Sequence, residues 1–339
     1  MKGLKTIGTR LLNGLFAVIP VAGDSKREWL RKIAFLCAVL VFIGSGVYLL
    51  DELVWQPNHT KTVQVQLQEL YHEQQTVAQP DGTDTTVYPE GMKDAFRPLY
   101  RRNNDLRGWL TFSTQGDDLF DGAIDCPVVQ AEDNDFYLTR DFLKEPDKAG
   151  SLYFDYRNDL SMAGENRNLI IYGHNLHSGL MFSRFNRLAK PNEALAKRLT
   201  TLTLSTLYEE AVYKVFAVMI VNANPAEEPV FNYIRTEFND ESFMSMVNEI
   251  RARSLYDFGD VDVTVTDELL TLSTCSNKRE TRMTDARTVI VARKVREGED
   301  PAVDTAKTTL NADVLMPKMW YIAGGEELPE VYRDNEGQT

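Results

Sequence analysis

Residues 269–276 read LLTLSTCS, and after a polar loop residues 285–291 read DARTVIV. The first stretch alternates as a strand does and delivers Cys275 to its C-terminal end; the second brings Arg287 in at the start of the next β run, residues 288–295. If the two strands pair as a hairpin-like unit, Arg287 returns beside Cys275. Working outward, short β runs recur at residues 109–112, 126–130, 150–154, 168–172, 202–207 and 212–221, separated by turn signals. That spacing predicts a closed or nearly closed β-barrel. A helix at residues 240–253, capped by Asn239 or Asp240, interrupts the series, and another is predicted over residues 90–103. The fold class is therefore mainly β with flanking helices.

The N-terminal part has a different character. Residues 33–50, IAFLCAVLVFIGSGVYLL, run 18 positions without a charge, close to the ~20 that a membrane-spanning helix needs. Lys2, Lys5, Arg10, Lys26, Arg27, Arg31 and Lys32 precede this run and Asp51 and Glu52 follow it, which puts the N-terminus in the cytoplasm and the rest outside as a single-pass protein. The run exceeds a signal-peptide core and no small-x-small cleavage site follows it, so an uncleaved anchor is expected. The expected division is a basic cytoplasmic segment at 1–32, a transmembrane helix at 33–50, and an extracellular stalk and linker at 51–89. A catalytic barrel at 90–297 and a C-terminal extension at 298–339 complete it. The formal net charge of −13 over 339 residues, with no basic face outside the first thirty-odd residues, argues against nucleic acid as a partner.

Three residues can carry chemistry. Cys37 falls inside the anchor, and Cys126 and Cys275 lie 149 positions apart, which is poor support for a disulfide. Cys275, presented at a strand end before a loop, is placed either as a working thiol or as a small core residue. Of four histidines, His59 and His72 fall in the stalk, which leaves His174 and His177 as candidate bases. His174 is preferred because it ends the β run NLIIY behind Gly173. An HxxH metal pair is the weaker reading, since no Asp, Glu or Cys stands nearby at ligand spacing. Arg287 offers a permanent charge and several donors suited to a tetrahedral oxyanion, with Arg279 and Arg282 in the loop as alternatives.

Taken together, TLSTC at residues 271–275, YGHN at 172–175 and an arginine directly before a β run resemble the signatures of sortases. The strings NDLRGW (104–109), CPVVQ (126–130), NDFYL (134–138), AGS (149–151) and DYRN (155–158), with the helix inserted before the cysteine strand, resemble class B members over residues 90–295. The resemblance implies a sortase-like closed β-barrel behind a helical stalk, and a cysteine transpeptidase with no cofactor or metal. Cys275 then matches the nucleophile, His174 the general acid/base and Arg287 the oxyanion arginine, while Asn134, Leu138, Tyr233, Ile234 and Ser273 match positions lining the sorting-peptide groove. The implied partners are secreted proteins with a C-terminal sorting signal, an amine of a peptidoglycan precursor or cross-bridge, and the membrane through residues 33–50. Other readings of the same residues are a papain-like hydrolase, a surface binding or structural β-module without catalysis, and a pilin-polymerising sortase. The arginine stands twelve positions after the cysteine, and Ser276-Asn277 replaces residues often acidic or aromatic in the family.

Overall fold

A computed structural model describes residues 18–74, 85–112, 124–176, 179–276, 281 and 283–333, in two compact units, Met1–His59 and Thr60–Thr339. In the first unit, helix α1 (Lys26–Leu50) is capped by Ser25, whose side chain accepts from Glu28 N–H. Lys32 closes an ion pair with Asp24 at 2.8 Å. Along the apolar run, Leu40, Val41, Phe42 and Ile43 are all exposed. This is the one helix among the described residues that is long and apolar enough to cross a membrane.

The second unit is built on eight strands: β1 (Leu106–Phe112), β2 (Ile124–Val129), β3 (Leu152–Phe154), β4 (Asn168–Tyr172), β5 (Thr201–Thr206), β6 (Glu210–Asn222), β8 (Leu269–Cys275) and β9 (Ala286–Lys294). They close into a barrel in the order β1-β2-β3-β4-β8-β9-β6-β5. The β2–β3 and β4–β8 pairs are parallel and the others antiparallel. Two further three-residue strands, β7 (Tyr256–Phe258) and β10 (Thr308–Leu310), pair with each other outside the barrel.

Period-2 geometry sends alternate side chains of β8 and β9 to opposite faces. Leu270, Leu272, Ile290 and Ala292 fill the barrel interior with Ile171 and Phe154. Leu269, Val289 and Val291 face outward onto the helix Asp240–Arg253, meeting Phe243, Val247 and Ile250. Both faces are thus covered, and the two strands are buried nearly throughout. The helix opens with a capping box between Asn239 and Ser242.

Two expectations about the flanks change. Residues 60–74, expected as stalk, form the last four turns of the helix Gln56–Gln74 and belong to the barrel unit, which begins at Thr60 instead of near residue 90. Leu67 and Tyr71, one turn apart, are buried, and Tyr71 stacks on Trp109 with ring centroids 4.2 Å apart. The sequence shows how far that apolar stripe reaches but not what it covers. The helix expected over residues 90–103 is a 3-10 turn, Asp94–Phe96, running into a short α-helix, Arg97–Arg102, because Pro98 lacks an N–H and fits only its first turn. Residues 75–84 of the expected stalk and linker lie outside the described residues.

The C-terminal extension is part of the second unit. Beyond the β10–β7 pairing, Met316 is buried and Trp320 and Tyr321 pack on the barrel core. At the head of the extension Glu299 accepts from Arg293 Nη1, and at 2.8 Å from Arg293 Nη2 and Lys214 Nζ. The Arg293 side chain is fully buried. Hydrogen bonds from Arg293 hold the Glu299 carboxyl well below the usual carboxylate range. A depressed folded-state pKa contributes stability that is complete above the unfolded value near ~4.3 and is lost as pH falls below it. Glu299→Gln leaves a buried guanidinium undercompensated and should cost about 3 kcal/mol at neutral pH. In urea titrations at successive pH values, that difference from wild type should shrink from pH ~4 downward; a difference constant down to pH ~3 would contradict the pairing.

Candidate active site

Strands β8 and β9 run antiparallel, and their last register pair is Cys275 with Arg287. Facing each other across this pair, Arg287 Nη1 donates to Cys275 Sγ at 2.8 Å and Nη2 meets Asp285 Oδ1 at 2.8 Å. Burial pulls the Arg287 pKa down, but the electrostatic interactions with Cys275 and Asp285 outweigh it, and the net direction is up. The guanidinium therefore stays charged beside the sulfur. The adjoining backbone donor is occupied, since Ser276 N–H bonds Ala286 O at 2.7 Å.

Strand β4 lies parallel to β8 with Tyr172 opposite Ser273, so both chains run out at one end of the barrel. His174 stands two residues past Tyr172, as Cys275 stands two past Ser273. Its Nε2 lies 2.7 Å from the Leu138 carbonyl oxygen. A carbonyl oxygen only accepts, so this nitrogen carries a proton. The 3-10 turn Phe136–Thr139 thereby holds the imidazole by its main chain while the Leu138 side chain remains 38% exposed. His177, Arg279 and Arg282 lie outside the described residues.

The remaining sequence candidates fall on the outer surface of the same strands. Ser273 is buried and its hydroxyl pairs with the Tyr233 hydroxyl at 2.9 Å. Ile234 offers its carbonyl to Arg157 Nη2 at 2.9 Å. Asn134 donates to Asp155 Oδ2 at 3.2 Å and accepts from Tyr156 N–H. Asp155, fully buried, also receives the Arg157 guanidinium through two 2.8 Å bonds and the Tyr172 hydroxyl at 2.8 Å. Burial pushes the Asp155 carboxyl up, but these donors outweigh it and its net shift is downward. One carboxylate thus braces the Asn134 segment, β4 and, through Arg157, the Ile234 segment. This brace has no functional signal in the sequence beyond the DYRN string.

The other thiols are differently placed. Cys126 is buried in the barrel, and burial pushes its pKa up to about 12, the behaviour of an inert core cysteine. Cys37 is exposed on α1. Among the described residues no cluster of three His, Cys, Asp or Glu side chains stands ready to hold a metal ion.

Comparison with known proteins gives a consistent answer. The family model described as Sortase domain matches residues 121–295, just over half of the 339. The sequence is similar to Sortase B of Listeria monocytogenes, with 29% identity over 255 residues, 75% of this chain and 93% of that protein. Among solved structures, sortase B from B. anthracis in complex with AAEK1 superposes with a TM-score of 0.55 at 28% identity, covering 71% of this chain and 99% of that one. The Staphylococcus aureus sortase B–substrate complex gives 0.56 at 26% identity, with the same two coverages of 71% and 99%.

Proposed function

The chain belongs to the sortase family, and from that premise we propose that it is a class B cysteine transpeptidase that cleaves the C-terminal sorting signal of secreted proteins and joins them to a peptidoglycan amine. One observation carries the assignment of the site: a charged guanidinium 2.8 Å from a half-buried thiol, at the strand end that His174 shares. In the proposed reaction the Cys275 sulfur attacks the scissile carbonyl carbon, and Arg287 meets the charge that develops on the carbonyl oxygen. His174 gives a proton to the departing amine, which leaves a thioester on Cys275. It then takes a proton from the incoming amine as that nitrogen displaces the sulfur. Water in place of the amine would give slow hydrolysis.

The sorting peptide would lie over the outer face of β4 and β8, between the exposed Leu138 side chain and the Tyr233–Ile234 segment, with Ser273 beneath and Asn134 at one end. Residues 33–50 would anchor the protein in the cell membrane with the barrel outside, holding it beside exported substrate and lipid-linked acceptor and raising their effective concentration.

Intact-protein mass spectrometry tests the central step. The purified protein, incubated with a small set of sorting-signal peptides, should gain the mass of the acyl fragment on Cys275, and adding oligoglycine or a peptidoglycan-stem amine should discharge it into a new amide. No adduct and no amine-dependent product with any peptide in the set would sink the reading.

A further inference from the structure

The strand that carries Cys275 and the strand that ends before His174 are neighbours, yet their ladder runs out before either side chain is reached. Tyr172 faces Ser273, Gly173 N–H donates to Ser273 O at 3.2 Å, and past that point β8 continues to pair only with β9. The approach is tight: a Cβ on Gly173 would come within 2.5 Å of Leu152 Cδ2 and 2.7 Å of Phe182 Cδ2. Beyond it, a side chain makes the connection. Asn175 Nδ2 donates to the Cys275 main-chain carbonyl at 2.9 Å.

The backbone under that side chain is itself fixed. Asn175 forms an antiparallel bridge with Met181, and Phe182 N–H donates to His174 O at 3.0 Å. Met181 is held at φ 54, a left-handed conformation that a non-glycine residue adopts only when its surroundings impose it, and its side chain is buried. The amide therefore spans from a backbone segment anchored by these two contacts to the main chain of the nucleophile.

We propose that Asn175 is a positioning residue for the transpeptidation: its amide sets the spacing between the imidazole of His174 and the sulfur of Cys275 where the main-chain ladder has ended. The proposal rests on the reading of His174 and Cys275 as the reacting pair. Asn175 acts by holding the imidazole at the distance from the acyl-bearing sulfur at which it can pass protons to the departing amine and from the incoming one, by way of the Cys275 main chain and not through its sulfur.

The test compares the full-length protein with its Asn175→Ala, Asn175→Asp and His174→Ala variants. The aspartate carboxylate matches the amide in size but has no N–H to donate at neutral pH, so Asn175→Asp separates the lost donor from lost bulk and carries the test should the alanine variant fail to fold. Two quantities are read: steady-state transfer of a sorting-signal peptide to an amine, and the pH dependence of iodoacetamide alkylation at Cys275, followed on its proteolytic peptide, which needs no substrate. Both Asn175 variants should lose about tenfold in kcat while KM stays within about twofold, since misplacement of a reacting group by ~1 Å costs up to ~10²-fold. Their alkylation profiles should move onto that of His174→Ala. An Asn175→Asp protein with wild-type kcat and a wild-type profile overturns the proposal, and so does a loss confined to Asn175→Ala, which would assign the effect to packing. If the wild type transfers no peptide but its alkylation profile still moves in both Asn175 variants, the transpeptidase reading fails and the strut between the two strand ends stands.

Discussion

Cys275→Ala should bring cleavage of a sorting-signal peptide to background, because the proposed acyl intermediate forms on its sulfur and the Arg287 guanidinium is aimed at that sulfur. Removing the nucleophile from a hydrolase with the same division of labour lowers kcat on the order of 10⁶-fold. The fold should tolerate the change. Cys275 is half-buried at the last position of β8, its sulfur meets Arg287, and Leu270 and Leu272 below it carry the packing. A shift in unfolding free energy within about 0.5 kcal/mol is expected. Cys126 supplies the internal control. Its thiol, pushed up to about 12 by burial, cannot substitute as nucleophile, so Cys126→Ala should retain activity while losing about 1 kcal/mol of core packing. Peptide-derived acyl mass on the Cys275→Ala protein would move the nucleophile elsewhere and undo the assignment.

The strands and the three strand-end groups are legible in the sequence because both rest on local pattern. Alternation in LLTLSTC and the β-branched run TVIVARK mark two strands, and a cysteine and a histidine stand where such runs stop and an arginine where one begins. The β8–β9 register that places Arg287 opposite Cys275 follows from their sequence proximity. The β4–β8 neighbourhood is another matter. Asn168 and Leu269 are register partners about a hundred residues apart, and a parallel pairing leaves no turn signal between its members. Asn175 reaching the Cys275 carbonyl depends on that pairing and is hidden with it. Asp155 gathering Tyr172, Arg157 and Asn134 depends on the β3–β4 pairing and on a segment about twenty residues upstream, which local pattern does not show either. The helix that ends at Gln74 escapes for a related reason. A sparse apolar stripe on a polar helix suits a stalk equally well until Trp109 is known to lie beneath Tyr71. Strands of three residues, such as Tyr256–Phe258 and Thr308–Leu310, are too short for alternation to show.

Arg287→Lys is the second large effect expected, and the surroundings of the guanidinium say why keeping the charge is not enough. The arginine uses separate nitrogens for the Cys275 sulfur and the Asp285 carboxylate, and a single ammonium without that planar fork cannot hold both. The main-chain donor that follows Cys275, Ser276 N–H, is already bonded to Ala286 O, so it cannot take over while that bond lasts. Loss of one oxyanion donor costs roughly 10²–10³-fold in kcat, and Arg287→Lys should fall in that range for peptide cleavage with little change in KM. Alkylation of Cys275 by iodoacetamide separates two ways the arginine can act. That reaction displaces iodide at a saturated carbon and builds no oxyanion, whereas attack on the peptide carbonyl does. A much larger fall in peptide cleavage than in alkylation places the guanidinium on the substrate oxygen. Equal falls would place it on the sulfur alone, and wild-type rates in both would shift the role to Arg279 or Arg282 in the loop between the strands.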